Sequence, residues 1–242
     1  MKKLLYLFLT VLIVACSGDS DNNNNNDGDN NNTLNCDVNP VQWISYGSQD
    51  WTIENACNIT YRDGTPIPEV TDVNEWNNLT TGAWCYYNND PTNSRLYNWF
   101  AVVGIHDADP NTPNKEFAPE GWHVPSDVEW TTLEEYLIAN GYNYDQTTTE
   151  NKIAKAMAST TGWNTSTVFG VVGNEQSLNN SSGFNVFPEG IRTNNFSSEG
   201  DFTAFWSSTA FIFYLESGNT GLVQIQDITY NFYGLSVRFV RD

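Results

Sequence analysis

Residues 120–130 read EGWHVPSDVEW, an extended segment that runs into what the sequence predicts to be the main helix. Ser126 is the predicted N-cap residue, and Glu129, three residues later, is its reciprocal partner in a capping box. The apolar pattern of this helix falls on one face at Trp130, Leu133 and Leu137. Gly141 is a suitable residue to end the helix. The stretch therefore predicts one amphipathic helix that packs against a mostly β chain.

Outside this helix, the chain contains mainly short segments with a strand pattern. Residues 41–46 and 51–54 predict a hairpin, and residues 84–87 and 97–103 predict two more strands. Residues 147–150 predict the cap of a second, shorter helix with Ile153, Ala154 and Met157 on one face. In the last third, the predicted strands are 184–187, 191–193, 202–207, 209–216, 222–228 and 235–240. Two helices followed by a run of antiparallel strands indicate an α+β fold.

Motifs at several separate places resemble one bacterial domain family. The stretch from Gly121 to Trp130 is similar to the hallmark of the Fibrobacter succinogenes major paralogous domain family, and more remotely to formylglycine-generating-enzyme-like domains. Further matches occur in order at residues 79–89, 95–99, 183–188, 205–209 and 235–242. The resemblance covers roughly residues 41–242. It implies a C-type-lectin-like fold, with irregular antiparallel β-sheets, two helices and long loops.

Residues inside these motifs are interpreted as structural. Cations are scarce in this chain, so each motif arginine is expected to contact carboxylates or backbone carbonyls. The motif tryptophans are expected in the core rather than on a ligand platform. His123 is expected to be a partly buried ring bonded near the helix start, rather than a catalytic base. The full set is Arg95, Trp99, Trp122, His123, Pro125, Ser126, Glu129, Trp130, Trp206, Arg238 and Arg241.

The first residues predict export. Residues 1–15 contain two lysines and an apolar run too short to span a bilayer, and Cys16 follows. The segment LIVAC at residues 12–16 resembles a bacterial lipobox, which implies a lipoprotein signal peptide over 1–15 and diacylglycerol on Cys16. The alternative is an ordinary secretory signal with an incidental cysteine.

Residues 16–35 are rich in Asn and Asp and predict a disordered tether, which leaves 36–242 as the folded domain. Acidic residues at 19 and 21 resemble signals that send lipoproteins to the outer face of the bacterial outer membrane. The alternative is that they only keep the linker soluble.

The charge of the chain excludes some partners. The formal net charge is -19, the sequence pI is near 4.1, and the chain has 10 Lys and Arg residues. No basic stripe is present that could release phosphate counterions, so nucleic acid is excluded as a partner and polyanionic polysaccharides are disfavoured. This composition suits neutral glycans or cations, and equally a protein that must stay soluble outside the cell.

Three cysteines remain if Cys16 carries a lipid: Cys36, Cys57 and Cys85. Three thiols allow three possible single disulfides, each of which leaves one cysteine unpaired. The pairing of Cys57 with Cys85 is favoured because both lie within the folded part, whereas Cys36 lies near the tether.

A polar loop contains the beginning of a calcium pattern. Its oxygen ligands alternate at Asp107, Asp109 and Asn111, as in an EF-type loop. Prolines replace the turn glycine and no glutamate closes the loop, so a solvated turn is favoured and Ca²⁺ is only a possible ligand.

Catalysis is not predicted. The chain has two histidines, no Gly-x-Ser-x-Gly elbow, no phosphate loop and no dinucleotide motif. No cysteine matches the catalytic pair that the resemblance to formylglycine-generating enzymes would require. A pair of carboxylates could serve a glycosidase, but the sequence does not give the distance between them.

Ligand contacts are expected from a polar loop that carries aromatic rings and amides. The candidates are Tyr86, Tyr87, Asn88, Asn89 and Asp90, with Tyr214 and Tyr230 as weaker ones. The sequence thus predicts a non-enzymatic, lipid-anchored surface protein that recognises a glycan, a polysaccharide or another protein. The alternatives are an enzyme or accessory factor acting on extracellular polysaccharide, and a structural component of a surface assembly.

Overall fold

The computed structural model describes residues 42–226 and 231–242, which form short elements joined by long loops. The helices in these ranges are α1 (Val73–Asn77), α2 (Trp99–Val102), α3 (Asp127–Ala139) and α4 (Ala154–Met157). The earlier strands are β1 (Trp43–Tyr46), β2 (Gln49–Thr52), β3 (Trp84–Tyr86) and β4 (Arg95–Tyr97). The later strands are β5 (Glu189–Arg192), β6 (Phe196–Glu199), β7 (Phe202–Trp206), β8 (Phe211–Glu216), β9 (Val223–Gln226) and β10 (Val240–Arg241). Cys16, the predicted tether and Tyr230 lie outside the described residues.

These strands form three sheets. The first has the order β1-β2-β10, the second pairs β3 with β4, and the third has the order β6-β5-β7-β8-β9. All pairs of named strands are antiparallel except β5 with β7, which meet in parallel at Gly190 and Thr203. Mixed helices and largely antiparallel sheets confirm the predicted α+β class.

The predicted start of the main helix is confirmed. The Ser126 hydroxyl accepts a bond from the Glu129 backbone N–H, and the Glu129 carboxylate accepts one from the Ser126 N–H at 2.7 Å. These bonds satisfy two donors that a helix start leaves without partners. Helix α3 then ends at Asn140, and Gly141 takes the left-handed conformation, with a φ of 77°. Local sequence therefore determines both ends of α3.

The core is built around the buried face of α3. The Trp130 ring lies 4.7 Å from the Trp51 ring and 5.1 Å from the Phe213 ring, the latter in a stacked geometry. Trp51 belongs to the first sheet and Phe213 to the third. One indole thus joins α3 to both sheets, which accounts for the tryptophan of the hallmark motif.

Four predicted elements are wrong. Residues 184–187 and most of residues 235–240 form isolated bridges instead of the predicted strands. The other two differ because of side-chain bonds. Residues 97–103 do not continue as a strand, because the Asn98 side chain accepts a bond from the Ala101 N–H at 3.0 Å and caps α2. Residues 147–150 do not cap α4, which has Ile153 before it and no side-chain cap. Instead, buried Asn143 accepts a bond from the Lys152 N–H at 2.9 Å and donates to two carbonyls of the loop between them. Side-chain bonds to the backbone compete with the local pattern in both places.

Candidate functional site

The predicted binding loop offers less than its sequence indicates. Tyr87 is 5% exposed and its ring packs against Phe196 at 5.3 Å, which leaves little of the ring for a ligand to cover. The Tyr86 hydroxyl accepts a bond from Arg95 at 3.0 Å. Asn88, Asn89 and Asp90 are exposed. The loop therefore presents two amides and a carboxylate without a free aromatic face between them.

Tyr214, the weaker candidate on β8, also packs against another ring. Its ring lies 4.7 Å from that of Phe202 in a tilted arrangement. This packing partly buries the ring, so Tyr214 is a poor ligand platform.

In the predicted calcium loop, side-chain oxygens accept hydrogen bonds from residues of the same loop. Asp107 accepts a bond from the Asp109 N–H at 3.0 Å, and Asp109 accepts two from Asn111 at 2.9 Å. Asp107 also lies 3.3 Å from His106 Nε2. Within residues 42–226 and 231–242, no group of three or more His, Cys, Asp or Glu could hold a metal ion. The oxygens thus form a series of side-chain-capped turns.

The predicted disulfide is wrong. Cys57 is disulfide-bonded, but Cys85 is a free, buried thiol. Cys85 lies on β3 in an apolar cluster with Val70 and Leu96, and burial raises the pKa of its thiol to about 11. Sequence position alone placed Cys57 and Cys85 in the same folded region, but it carried no information on where each side chain points.

The motif arginines all contact backbone carbonyls or carboxylates. Arg95 donates to the carbonyl of Cys57 and lies 4.9 Å from the Trp84 ring. Arg238 donates to the Thr52 carbonyl at 2.8 Å. Arg241 bonds Asp50 at 3.0 Å, and its guanidinium lies between the rings of Trp43 and Trp122, 4.7 and 4.6 Å away.

The other motif residues hold α3 and the strands together. The His123 ring contacts the Glu129 carboxylate, and the Pro125 carbonyl accepts a bond from the Ser208 N–H at 2.8 Å. Trp206 donates to the Tyr97 carbonyl at 2.8 Å. Trp99 packs against the cluster that contains Trp122. His123 therefore contacts a residue of the capping box, as predicted for a ring bonded near the helix start.

A cleft of about 320 Å³ lies between residues 141–146, which follow α3, and residues 169–178. Its walls combine apolar rings with amide side chains. Phe169 is 73% exposed and Leu178 is 65% exposed, so both present apolar surface to solvent. Clefts that mix aromatic side chains with a few polar groups are the usual form of small-molecule sites.

Close packing holds the aromatic wall of the cleft in place. The Tyr144 ring rests on Gly170, where an added Cβ would lie only 2.4 Å from Tyr144 Cζ. Gly170 also has a φ of 84°, which L side chains rarely adopt. The rings of Tyr144 and Phe169 meet edge to face, 5.4 Å apart at 87°. The glycine therefore sets the orientation of both rings.

The base of the cleft carries a buried cation. Lys155 on α4 is 8% exposed, and its ammonium donates to the carbonyls of Val171 and Asn174. Burial lowers the pKa of Lys155, and the nearby Glu175 carboxylate opposes this shift. Glu175 lines the same cleft in a left-handed conformation, with a φ of 44°.

The sequence-based prediction did not include this cleft. The signal available was a pair of aromatic residues, Tyr144 and Phe169, in polar, glycine-containing loops. Their sequence positions do not reveal that Gly170 brings them together. Among the described residues that line the cleft, Glu175 supplies the one carboxylate. Glycoside hydrolysis ordinarily uses two acids facing each other, and the described lining of this cleft supplies one.

The elements described above form an α+β domain with a small, open cleft. Residues 44–241 match the family model of the Fibrobacter succinogenes major domain, and the chain belongs to that family. No curated protein and no solved structure matched the chain in the same comparisons. None of the helices in the described part of the chain is long and apolar enough to cross a membrane.

Proposed function

We propose that this chain is a lipid-anchored protein on the surface of a bacterial outer membrane, and that its C-type-lectin-like domain binds a neutral glycan without catalysing a reaction. The observation that carries the proposal is the cleft beside Tyr144 and Phe169. The anchor is proposed from the lipobox-like residues 12–16 and the tether that follows.

The chemistry of the cleft suits a sugar ring. A pyranose has an apolar face that packs on aromatic rings and hydroxyl groups at its edge that need donors and acceptors. Phe169 and Tyr144 supply the aromatic surface, and the polar residues Gln146 and Asn174 also line the cleft. The net charge of -19 favours a neutral ligand over an acidic polymer.

Replacing Phe169 with alanine is expected to weaken glycan binding by about tenfold to thirtyfold, because the variant loses an apolar face worth about 2 kcal/mol when a ligand covers it. The fold should stay intact, since the Phe169 ring is largely exposed. The measurement is a titration of residues 33–242 with glycans selected from an array, in calcium and again with a chelator.

Val128→Ala is the matched control, because Val128 is 66% exposed on α3 and does not line the cleft. It should bind like the parent protein. Equal affinities of the parent, the Phe169 variant and the control for every glycan would contradict the placement of the site. If no glycan on the array binds, the result would instead favour a protein partner or a structural role.

Replacing Cys16 with serine is expected to abolish lipid attachment completely, because serine has no thiol to accept diacylglycerol. Labelling cells with a radioactive fatty acid tests this, followed by fractionation and protease treatment of intact cells. The parent protein should be labelled, sediment with the outer membrane and be cut by the protease. A Cys36→Ser variant should keep its label. Equal labelling of both variants would contradict the anchor.

A further inference from the structure

Lys155 differs from the other lysines in the described part of the chain. Lys115 forms an ion pair with Asp63 at 2.5 Å, and Lys152 forms one with Asp145 at 2.8 Å. Lys155 has no carboxylate within ion-pair distance among the described residues, although the chain is strongly acidic. Its position at the base of the cleft therefore invites a functional explanation.

The hydrogen bonds of Lys155 to the described residues use two of its three N–H donors. An ammonium group carries three N–H donors, and the described residues supply two acceptors, the carbonyls of Val171 and Asn174. The Val171 bond is long, at 3.4 Å. Buried polar groups normally find partners, and charged ones lose most when they do not. Since Lys155 lines the cleft, a bound ligand can supply the missing acceptor.

We propose that Lys155 donates this hydrogen bond to the carbonyl oxygen of an acetamido group, and that the ligand of the cleft is therefore an N-acetylated, neutral sugar. The inference rests on the proposed function, because it assigns a substituent to the glycan bound there. It adds a specificity-determining residue to the aromatic faces that provide general affinity.

The surroundings favour an acetamido carbonyl over the carboxylate of an acidic sugar. A carboxylate that reached Lys155 would come close to Glu175 in a chain with a net charge of -19, and like charges repel. A neutral carbonyl accepts a weaker hydrogen bond from the ammonium, but it meets no repulsion from Glu175. The acetamido methyl group also needs apolar surface, and the exposed side chains of Leu178 and Phe169 line the same cleft.

Two trisaccharides with the same β-1,4-linked glucose skeleton test this assignment. The N-acetylated form of chitotriose, called chitotriose below, carries acetamido groups at C2, whereas cellotriose carries hydroxyl groups there. The parent protein, residues 33–242, should bind chitotriose about tenfold more tightly, the effect expected of one hydrogen bond to a charged donor. A β-1,4-linked glucuronate trisaccharide should bind no more tightly than cellotriose. Isothermal titration gives all three affinities without any substitution.

Two variants then connect the preference to Lys155. Lys155→Met keeps an unbranched side chain one heavy atom shorter and removes the donors, so it should bind the two neutral sugars equally. Lys155→Arg keeps donors and charge and should retain a preference for chitotriose. Circular dichroism and the urea midpoint show whether a variant has lost the fold. If both variants unfold, the affinities of the parent protein for the three sugars still decide the test.

The outcomes separate the two proposals. If none of the three sugars and no glycan on the array binds, the proposed function fails and this inference fails with it. If chitotriose and cellotriose bind equally, or a folded Lys155→Met variant keeps the preference, this inference alone is overturned. Tight binding of the glucuronate sugar would show that the acceptor is a carboxylate, which also overturns the acetamido assignment.

Discussion

Replacing Arg238 with alanine is expected to lower the free energy of unfolding by about 3 to 5 kcal/mol. Arg238 is 2% exposed, and it donates to the Thr52 carbonyl at 2.8 Å and to Asn55 Oδ1 at 2.6 Å. Asn55 in turn donates to the carboxylate of Glu189. The substitution leaves buried acceptors without a donor and removes the positive charge that opposes the rise in the pKa of Glu189 caused by burial.

Urea denaturation followed by tryptophan fluorescence measures this loss. Arg238→Met is the informative comparison, because it keeps an apolar side chain beside Phe184, whose ring lies 4.9 Å from the guanidinium. The methionine variant should recover only the packing part of the loss. If the alanine variant loses less than about 1 kcal/mol, a value typical of surface substitutions, Arg238 does not hold this network together.

Replacing Gly104 with alanine is expected to cost on the order of 3 kcal/mol or more, because two unfavourable effects coincide. Gly104 has a φ of 78°, and an added Cβ would lie 1.9 Å from the Lys115 carbonyl oxygen and 2.5 Å from its nitrogen. The two backbones are bonded there, since the Lys115 N–H donates to the Gly104 carbonyl at 3.0 Å. Neither can move without breaking this contact.

Gly64→Ala provides the matched control. Gly64 has a φ of 86°, but nothing lies within 4 Å of the Cβ that alanine would add. It should therefore lose only the cost of a left-handed alanine, roughly 1 kcal/mol. The difference between the two variants in thermal or urea denaturation isolates the backbone contact. Similar losses in both variants would contradict the close approach at Gly104.

The sequence predicted features that depend on neighbouring residues. The capping box of Ser126 and Glu129 spans four residues, so its pattern is sufficient to locate the start of α3. The α+β class followed in the same way, from the order of short local patterns. The strand expected over residues 97–103 was wrong because one side chain, Asn98, bonds the backbone and turns the chain into α2.

The candidate site could not be predicted in this way because it depends on distant residues. Tyr87 lies in a polar loop, yet Phe196, far away in the sequence, covers its ring. Conversely, the Tyr144 ring gains its orientation from a close approach to Gly170. A single sequence without its fold gives no information on which loop residues meet, so it does not reveal which loop presents an exposed ring.

The pairing of β10 with β2 has a consequence for how the protein is made. Val240 pairs with Trp51, and Arg241 bonds Asp50, 191 residues away in the sequence. A chain synthesised from its N-terminus cannot close the first sheet until residues 240 and 241 have been added. Contacts this distant slow folding, because a long loop must be ordered before they form. An unfinished chain therefore cannot complete the domain, and the first sheet closes only once the whole sequence is present.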